Sequence, residues 1–195
     1  MPQPQLPRIA PEDMPEHIRH GWERSMALRG DATWFEVMAH APELYDWYGE
    51  FYERLFRGGR VERVIKELAR LRLSTTHGCR FCNQGNRPDA LEAGVAQEQI
   101  DQLDEYESGP FSERERAALA LADQMVLTNP SGTLDAALHE RLKKHFDPAE
   151  IMELGMVMAV LTGMAKMLFT FDLVEKENNC PFPASRAGSS HSQGG

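Results

Sequence analysis

Apolar residues recur along this chain at spacings of three and four nearly throughout, and no run alternates as a half-buried strand would. The pattern predicts about eight helices. Two N-terminal ones run from about Pro11 to Leu28 and from Thr33 to Phe56, and in the second Leu44, Trp47, Phe51 and Leu55 share a face. Gly58-Gly59 breaks that helix. A third spans about Val61 to Thr75 and stops at His77-Gly78, with glycine in the usual terminating position. A fourth runs from about Cys79 to Glu92 and is closed by Gly94, and a short acidic helix covers Gln97 to Leu103. Ser112 and Glu115 form a capping-box pattern opening a helix to about Leu127. Another spans Leu134 to His145. Asp147-Pro148-Ala149-Glu150 combines an N-cap, a first-position proline and a first-turn acid, opening the last helix to about Glu175. The expected architecture is a single all-α bundle over residues 11–177, with disordered ends at 1–10 and 178–195.

Composition narrows the function. The 195 residues suit one domain with a full core. A net charge of -9 without a basic stripe argues against nucleic acid and against an anionic membrane surface as partners. The start, MPQPQLPRIAPEDMPEH, lacks the basic segment and apolar run of a secretion signal, so a cytoplasmic location is expected. The apolar stretch Leu154 to Phe171 has the length of a membrane span. It carries Lys166, two glycines and two threonines, and reads as a core helix. Its methionines, among them Met152, Met156 and Met164, read as core or interface filler. Trp34, Trp47 and the Tyr45–Tyr52 cluster are expected in the core or at a substrate entrance.

Three cysteines are too few for a disulfide framework, so the chemistry centres on Cys79-Arg80-Phe81-Cys82. Residues i and i+3 in the first turn of a helix have Cα atoms roughly 5–5.5 Å apart, inside the ~4.4–6.8 Å range of a disulfide. Unpaired amides and the helix dipole stabilise a thiolate there, and Arg80 adds positive charge. The effect is large: a thiol at pKa ~8.5 is about 3% ionised at pH 7, whereas one at ~6.5 is about three-quarters ionised. Half of a zinc site and inert packing cysteines are the competing readings. Zinc needs two more ligands, and His77 and Cys180 could supply them only if the tail folded back. Cys180, among prolines in the tail, reads as incidental. No metal or cofactor is expected, and His20, His40, His139, His145 and His191 show no metal spacing.

Glu67 lies on the flank of an apolar stripe through Val61, Val64, Ile65, Leu68 and Leu71. It reads either as a half-buried proton acceptor or as an ordinary surface glutamate. If the third and fourth helices form a hairpin at His77-Gly78, a proton passing between Glu67 and Cys82 crosses position 86. Arg72 falls near the middle of the stripe and is a candidate ion-pair partner for Glu67. His77 offers an imidazole beside the cysteines or is a solvated loop residue.

These residues resemble the carboxymuconolactone decarboxylase superfamily, in its alkyl hydroperoxidase D-like branch. That pattern is Glu, eleven residues, Cys-x-x-Cys, three residues, His. It reads here as Glu67, Cys79 and Cys82, then Asn86 at the histidine position. The segments ELARLRLSTTHGCRFC, DALEAGVAQEQIDQL and FSERERAALALADQM carry the rest of the similarity, which covers about residues 40–175. The resemblance implies an all-helical fold, trimers or hexamers, and peroxide or disulfide reduction. In that scheme Cys82 attacks the peroxide, Cys79 resolves it to a disulfide, and Glu67 and the histidine relay protons. A lipoyl-bearing or thioredoxin-like dithiol protein is the implied reductant. Asparagine hydrogen-bonds but does not take up a proton near neutral pH, so Asn86 breaks the relay. Two alternatives remain at this level: a non-redox decarboxylase-like enzyme acting on a small cyclic acid, and a non-catalytic redox sensor.

Overall fold

The computed structural model describes residues 1–178 and 180–182. Among them are nine α-helices and no strand. Helix α1 spans Glu16–Arg29, α2 Thr33–Met38, α3 Pro42–Tyr52, α4 Arg63–Thr76, α5 Arg80–Ala93, α6 Gln97–Asp101, α7 Glu113–Met125, α8 Ala136–Lys143 and α9 Pro148–Thr170. The ninth helix arises because the expected 33–56 element is two. Pro42 occupies the first turn of α3, and Ala41 before it is non-helical (φ -137°, ψ 70°), as the residue ahead of a proline tends to be. A π-turn, Glu53–Arg57, then prolongs α3.

The caps form where the sequence places them. Ser112 Oγ accepts from the Glu115 amide while Glu115 Oε2 accepts from the Ser112 amide at 2.7 Å. Asp147 and Glu150 repeat the arrangement at the head of α9. Gly94 closes α5 at φ +102°, and Gly78 turns the chain between α4 and α5 at φ +62°, both favoured by glycine's missing Cβ.

Helix α4 is the axis of the molecule. One side packs Ile65, Ala69 and Leu73 against α7 and α9, and another packs Leu68 and Leu71 against Ala90 of α5 and the 95–111 connection. Each fully buried leucine or isoleucine contributes roughly 1.5–3 kcal/mol. Lys66, with no exposed surface, ion-pairs with Glu153 of α9 and donates to the carbonyls of Leu55 and Gly58, at 2.9 and 2.6 Å. This buried cation ties α4 to α9 and to the π-turn.

Helix α9 is long and apolar enough to cross a membrane by length and composition. Its inner face (Leu154, Val157, Met158, Ala165, Leu168, Phe169) is buried, and Met152 and Met156 on the outer face are exposed. On α3 the expected apolar face faces outward: Leu44, Trp47 and Phe51 are exposed, Trp47 at 65%. Trp47 is therefore a surface residue of this chain.

The two ends make contacts where disorder was expected. The Gln3 amide donates to Asp172, Arg8 pairs with Glu36, and the Ile9 amide donates to the Glu36 carbonyl. At the other end residues 173–178 and 180–182 run back over the start of α5. The Glu177 amide donates to the Gly78 carbonyl at 2.8 Å, and the Phe81 amide donates to the Glu175 carbonyl. The rest of the expected tail, 183–195, lies outside the described residues.

Candidate active site

The α4–α5 hairpin brings the two cysteines to the head of a helix, and there they are joined. Cys79 and Cys82 form a disulfide with a Cα–Cα distance of 5.2 Å. Cys79 is the N-cap of α5, and its sulfur accepts from the Cys82 amide at 3.2 Å. The helix amide that a sulfur can use is therefore spent on Cys79. Exposure divides the pair the other way: Cys79 is completely buried, whereas Cys82 is partly exposed.

Both cysteines line a cavity of about 220 Å³. Trp34 of α2 and Tyr48 and Tyr52 of α3 form one wall, α5 supplies Phe81 and Asn86, and α9 supplies Leu161, Met164, Ala165 and Leu168. Arg29, Arg70, Ser74 and His77 complete the lining, which contains no carboxylate. Burial pushes the Tyr48 and Tyr52 phenols up, so both stay protonated through the physiological range.

The expected relay residues are close in the fold but not connected as expected. Glu67 is buried rather than half-buried, is not in the cavity lining, and bonds Arg70 and Arg63. Burial pushes its carboxyl up while Arg70 pulls it down. Arg70, not Arg72, is its partner. Arg72 points to the other side of α4, onto Asp123 and Asp104 at 2.7 and 2.8 Å. The reason is angular: residue 70 is i+3 from Glu67, on the same helix face, and residue 72 is not. Asn86 lines the cavity and donates to Ser74 Oγ at 3.1 Å, touching neither Glu67 nor a sulfur in the hydrogen-bond network.

His77 is no solvated loop residue. It is 1% exposed, lies edge-on to Phe169 and Phe182, and its Nε2 accepts from the Leu127 amide at 3.0 Å. Burial pulls its pKa down to about 4, so the ring is neutral at pH 7 with its acceptor nitrogen occupied. Cys180 packs against the buried cluster that holds Cys79, and its thiol donates to the His77 carbonyl at 3.1 Å. It is a packing element of the hairpin, pressed against Gly78 so closely that a Cβ there would lie 2.7 Å from its Cα. Among the described residues no group of three His, Cys, Asp or Glu side chains is arranged to hold a metal ion.

Comparison with known proteins places this arrangement. The sequence model of the Carboxymuconolactone decarboxylase family matches residues 42–124, a span holding Glu67, both cysteines and Asn86. Over residues 42–124 the chain is similar to that family. The uncharacterized protein YdfG of Bacillus subtilis is 28% identical over 106 residues, 54% of this chain and 71% of its own length. The uncharacterized protein YnjA of Escherichia coli is 26% identical over 128 residues, 65% and 69% of the two chains. Among solved structures, an uncharacterized peroxidase-related protein from Ralstonia eutropha, with an alkylhydroperoxidase AhpD core, superposes with a TM-score of 0.70 at 18% identity, covering 91% of this chain and 94% of that one. A cysteine-to-alanine variant of the debrominase Bmp8, in complex with 2,3,4-tribromopyrrole, superposes at 0.72 and 17% identity, covering 90% and 93%. These likenesses establish the all-helical AhpD-like fold.

Within this fold, two cavity residues, Arg70 and Arg29, escaped the sequence reading. Arg70 donates to Tyr52 Oη at 3.1 Å and to Asp89 at 3.0 Å besides Glu67, and its guanidinium lies over the Phe56 ring. Tyr52 thereby accepts through its oxygen and keeps its own proton for a partner. Arg29, at the end of α1, donates from Nε to the Phe81 carbonyl and lies over the Phe81 ring, 4.5 Å from its centroid. The i, i+3 spacing of Glu67 and Arg70 was a usable signal. Nothing in the local sequence announces that α1 reaches α5.

Proposed function

We propose that this chain is a thiol–disulfide oxidoreductase of the alkyl hydroperoxide-reducing type, working at the Cys79/Cys82 pair. The observation that carries the reading is the division of labour between the sulfurs: Cys82 is partly exposed on the cavity wall, and Cys79 is buried at the helix N-cap beneath it. In the reduced form, the Cys82 thiolate attacks the distal oxygen of a hydroperoxide. The O–O bond breaks, the alcohol leaves with one proton, and Cys82 becomes a sulfenic acid. The Cys79 thiol then displaces water to close the disulfide. A dithiol protein of the lipoyl or thioredoxin kind restores the pair by attacking the exposed Cys82 sulfur. Cys79 leaves as a thiolate, stabilised by the Cys82 amide.

The proton for the departing alkoxide has a donor other than histidine. The Tyr52 phenol, with its oxygen bonded by Arg70, lines the cavity and stays protonated at pH 7. Glu67 holds Arg70 in place and does not itself shuttle protons, because the arginine between them does not deprotonate.

The test is cysteine mass spectrometry with peroxide consumption under a dithiol reductant. Stoichiometric cumene hydroperoxide should convert the reduced protein to the 79–82 disulfide, and Cys82→Ser should abolish turnover. Unchanged consumption in Cys82→Ser sinks the reading. Disulfide formation without turnover under any dithiol would favour a sensor instead. The exposed apolar residues Leu44, Trp47 and Phe51 support a homo-oligomer with a second copy over this face. Trp47→Lys should lower the mass found by analytical ultracentrifugation, and an unchanged mass refutes that contact.

A further inference from the structure

The cavity carries more recognition chemistry than a small neutral peroxide requires. Arg29 is the reason. A guanidinium has five N–H groups. Among the described residues, Arg29 makes one hydrogen bond, from Nε to the Phe81 carbonyl, and has no carboxylate within ion-pair distance. Asp89 and Asp31 act on it only from farther away, and burial weakens its hold on its proton. The chain makes room for this cation: a Cβ on Gly85 would stand 2.0 Å from Arg29 Nη2, so a side chain there would displace the guanidinium from the wall. Arg70, the other cationic lining residue, has its charge shared by Glu67 and Asp89.

The rest of the lining is aromatic and aliphatic. Trp34, Tyr48, Tyr52, Leu161 and Leu168 line a space of about 220 Å³. An apolar cavity of ~150 Å³ is enough to admit benzene, so this one holds a single substituted ring. Arg29 is half-buried with no carboxylate partner; a partly desolvated cation of this kind is costly, and an anion supplied by a ligand offsets that cost.

We infer that this cavity takes a single-ring aromatic acid, its ring between the α3 aromatics and α9, its anionic group on Arg29, and its substituent beside Cys82. The inference rests on the cavity being the substrate site of the proposed redox function, and it narrows the substrate class to hydroperoxides carried on a single ring that bears an anionic group.

The experiment is calorimetric titration of the oxidised full-length protein with benzoate, benzyl alcohol and acetate. Benzoate should bind one site per chain, with benzyl alcohol and acetate each weaker by about tenfold or more, the scale of one charge-assisted hydrogen bond. Arg29→Gln should weaken benzoate by about tenfold or more and leave benzyl alcohol unchanged. Because Arg29 also supports Phe81, a variant that misfolds by circular dichroism is set aside, and the three-ligand comparison on the unaltered chain decides. Benzoate binding no tighter than benzyl alcohol, or not at all, overturns the inference, as does an Arg29→Gln protein that folds and binds benzoate equally well. Absent benzoate binding with peroxide-driven disulfide formation intact removes this inference alone. Benzoate binding with no disulfide cycle removes the redox reading alone.

Discussion

His77→Gln should flatten the acid limb of the protein's stability curve. In the native state the imidazole is buried and its pKa is pulled down to about 4, whereas in the unfolded chain it titrates near ~6.5. Between those values the unfolded state binds more protons, so stability rises with pH across the window. The contribution is fully present above pH ~6.5 and is lost as pH falls through about 4. At ~1.4 kcal/mol per pH unit, the full swing is on the order of 3 kcal/mol, of which about 2 falls between pH 7.5 and 5. Glutamine keeps an acceptor for the Leu127 amide but has no proton to gain. Urea denaturation at pH 7.5 and pH 5, at one protein concentration, supplies the four free energies. Glu67 works in the opposite sense: its raised carboxyl pKa gives stability that is lost as pH rises through it. The wild-type-minus-variant difference cancels that background. Identical pH dependence in the two proteins would refute the buried, neutral assignment and reopen a catalytic role for this imidazole.

Asn86→His puts an imidazole on the cavity wall beside Ser74 and should raise hydroperoxide turnover by on the order of tenfold, short of the ~100-fold or more of a well-placed general acid–base group. Steady-state assay of both proteins checks this, and an unchanged kcat would show that Tyr52 already suffices. Lys66→Met strips the buried ammonium from the partly exposed Glu153 carboxylate, leaving only the amides of Arg60 and Val61 as its donors. Chemical denaturation should show a loss of about 3–5 kcal/mol, with Lys66→Met/Glu153→Gln recovering part of it. A loss under about 1 kcal/mol in the single variant would mean the pair is not buried in solution.

Local chemistry was legible in the sequence because it depends on neighbours along the chain. The Ser112/Glu115 and Asp147/Glu150 caps, the glycine stop at Gly94, the Gly78 hairpin and the cysteine spacing are all satisfied within a few residues. The helical bundle follows from a 3.6-residue period that needs no partner to be read. Even the split of the second helix had its cause in Pro42.

What only the packing decided is which side chains share a space. Helical spacing shows that Leu44, Trp47 and Phe51 share a face, but not that α3 turns that face outward. That depends on which helices remain to cover it. The same holds for charge: Glu67, Arg70 and Arg72 sit within six residues, yet the fold sends Arg72 to Asp123 and Asp104, contributed by other segments. Arg29 reaches the cavity across more than fifty residues of chain because α1 lies along α5 and Gly85 offers no obstacle. Desolvation sets the protonation of His77 and the tyrosines, and it is a property of everything folded around them rather than of the residues themselves.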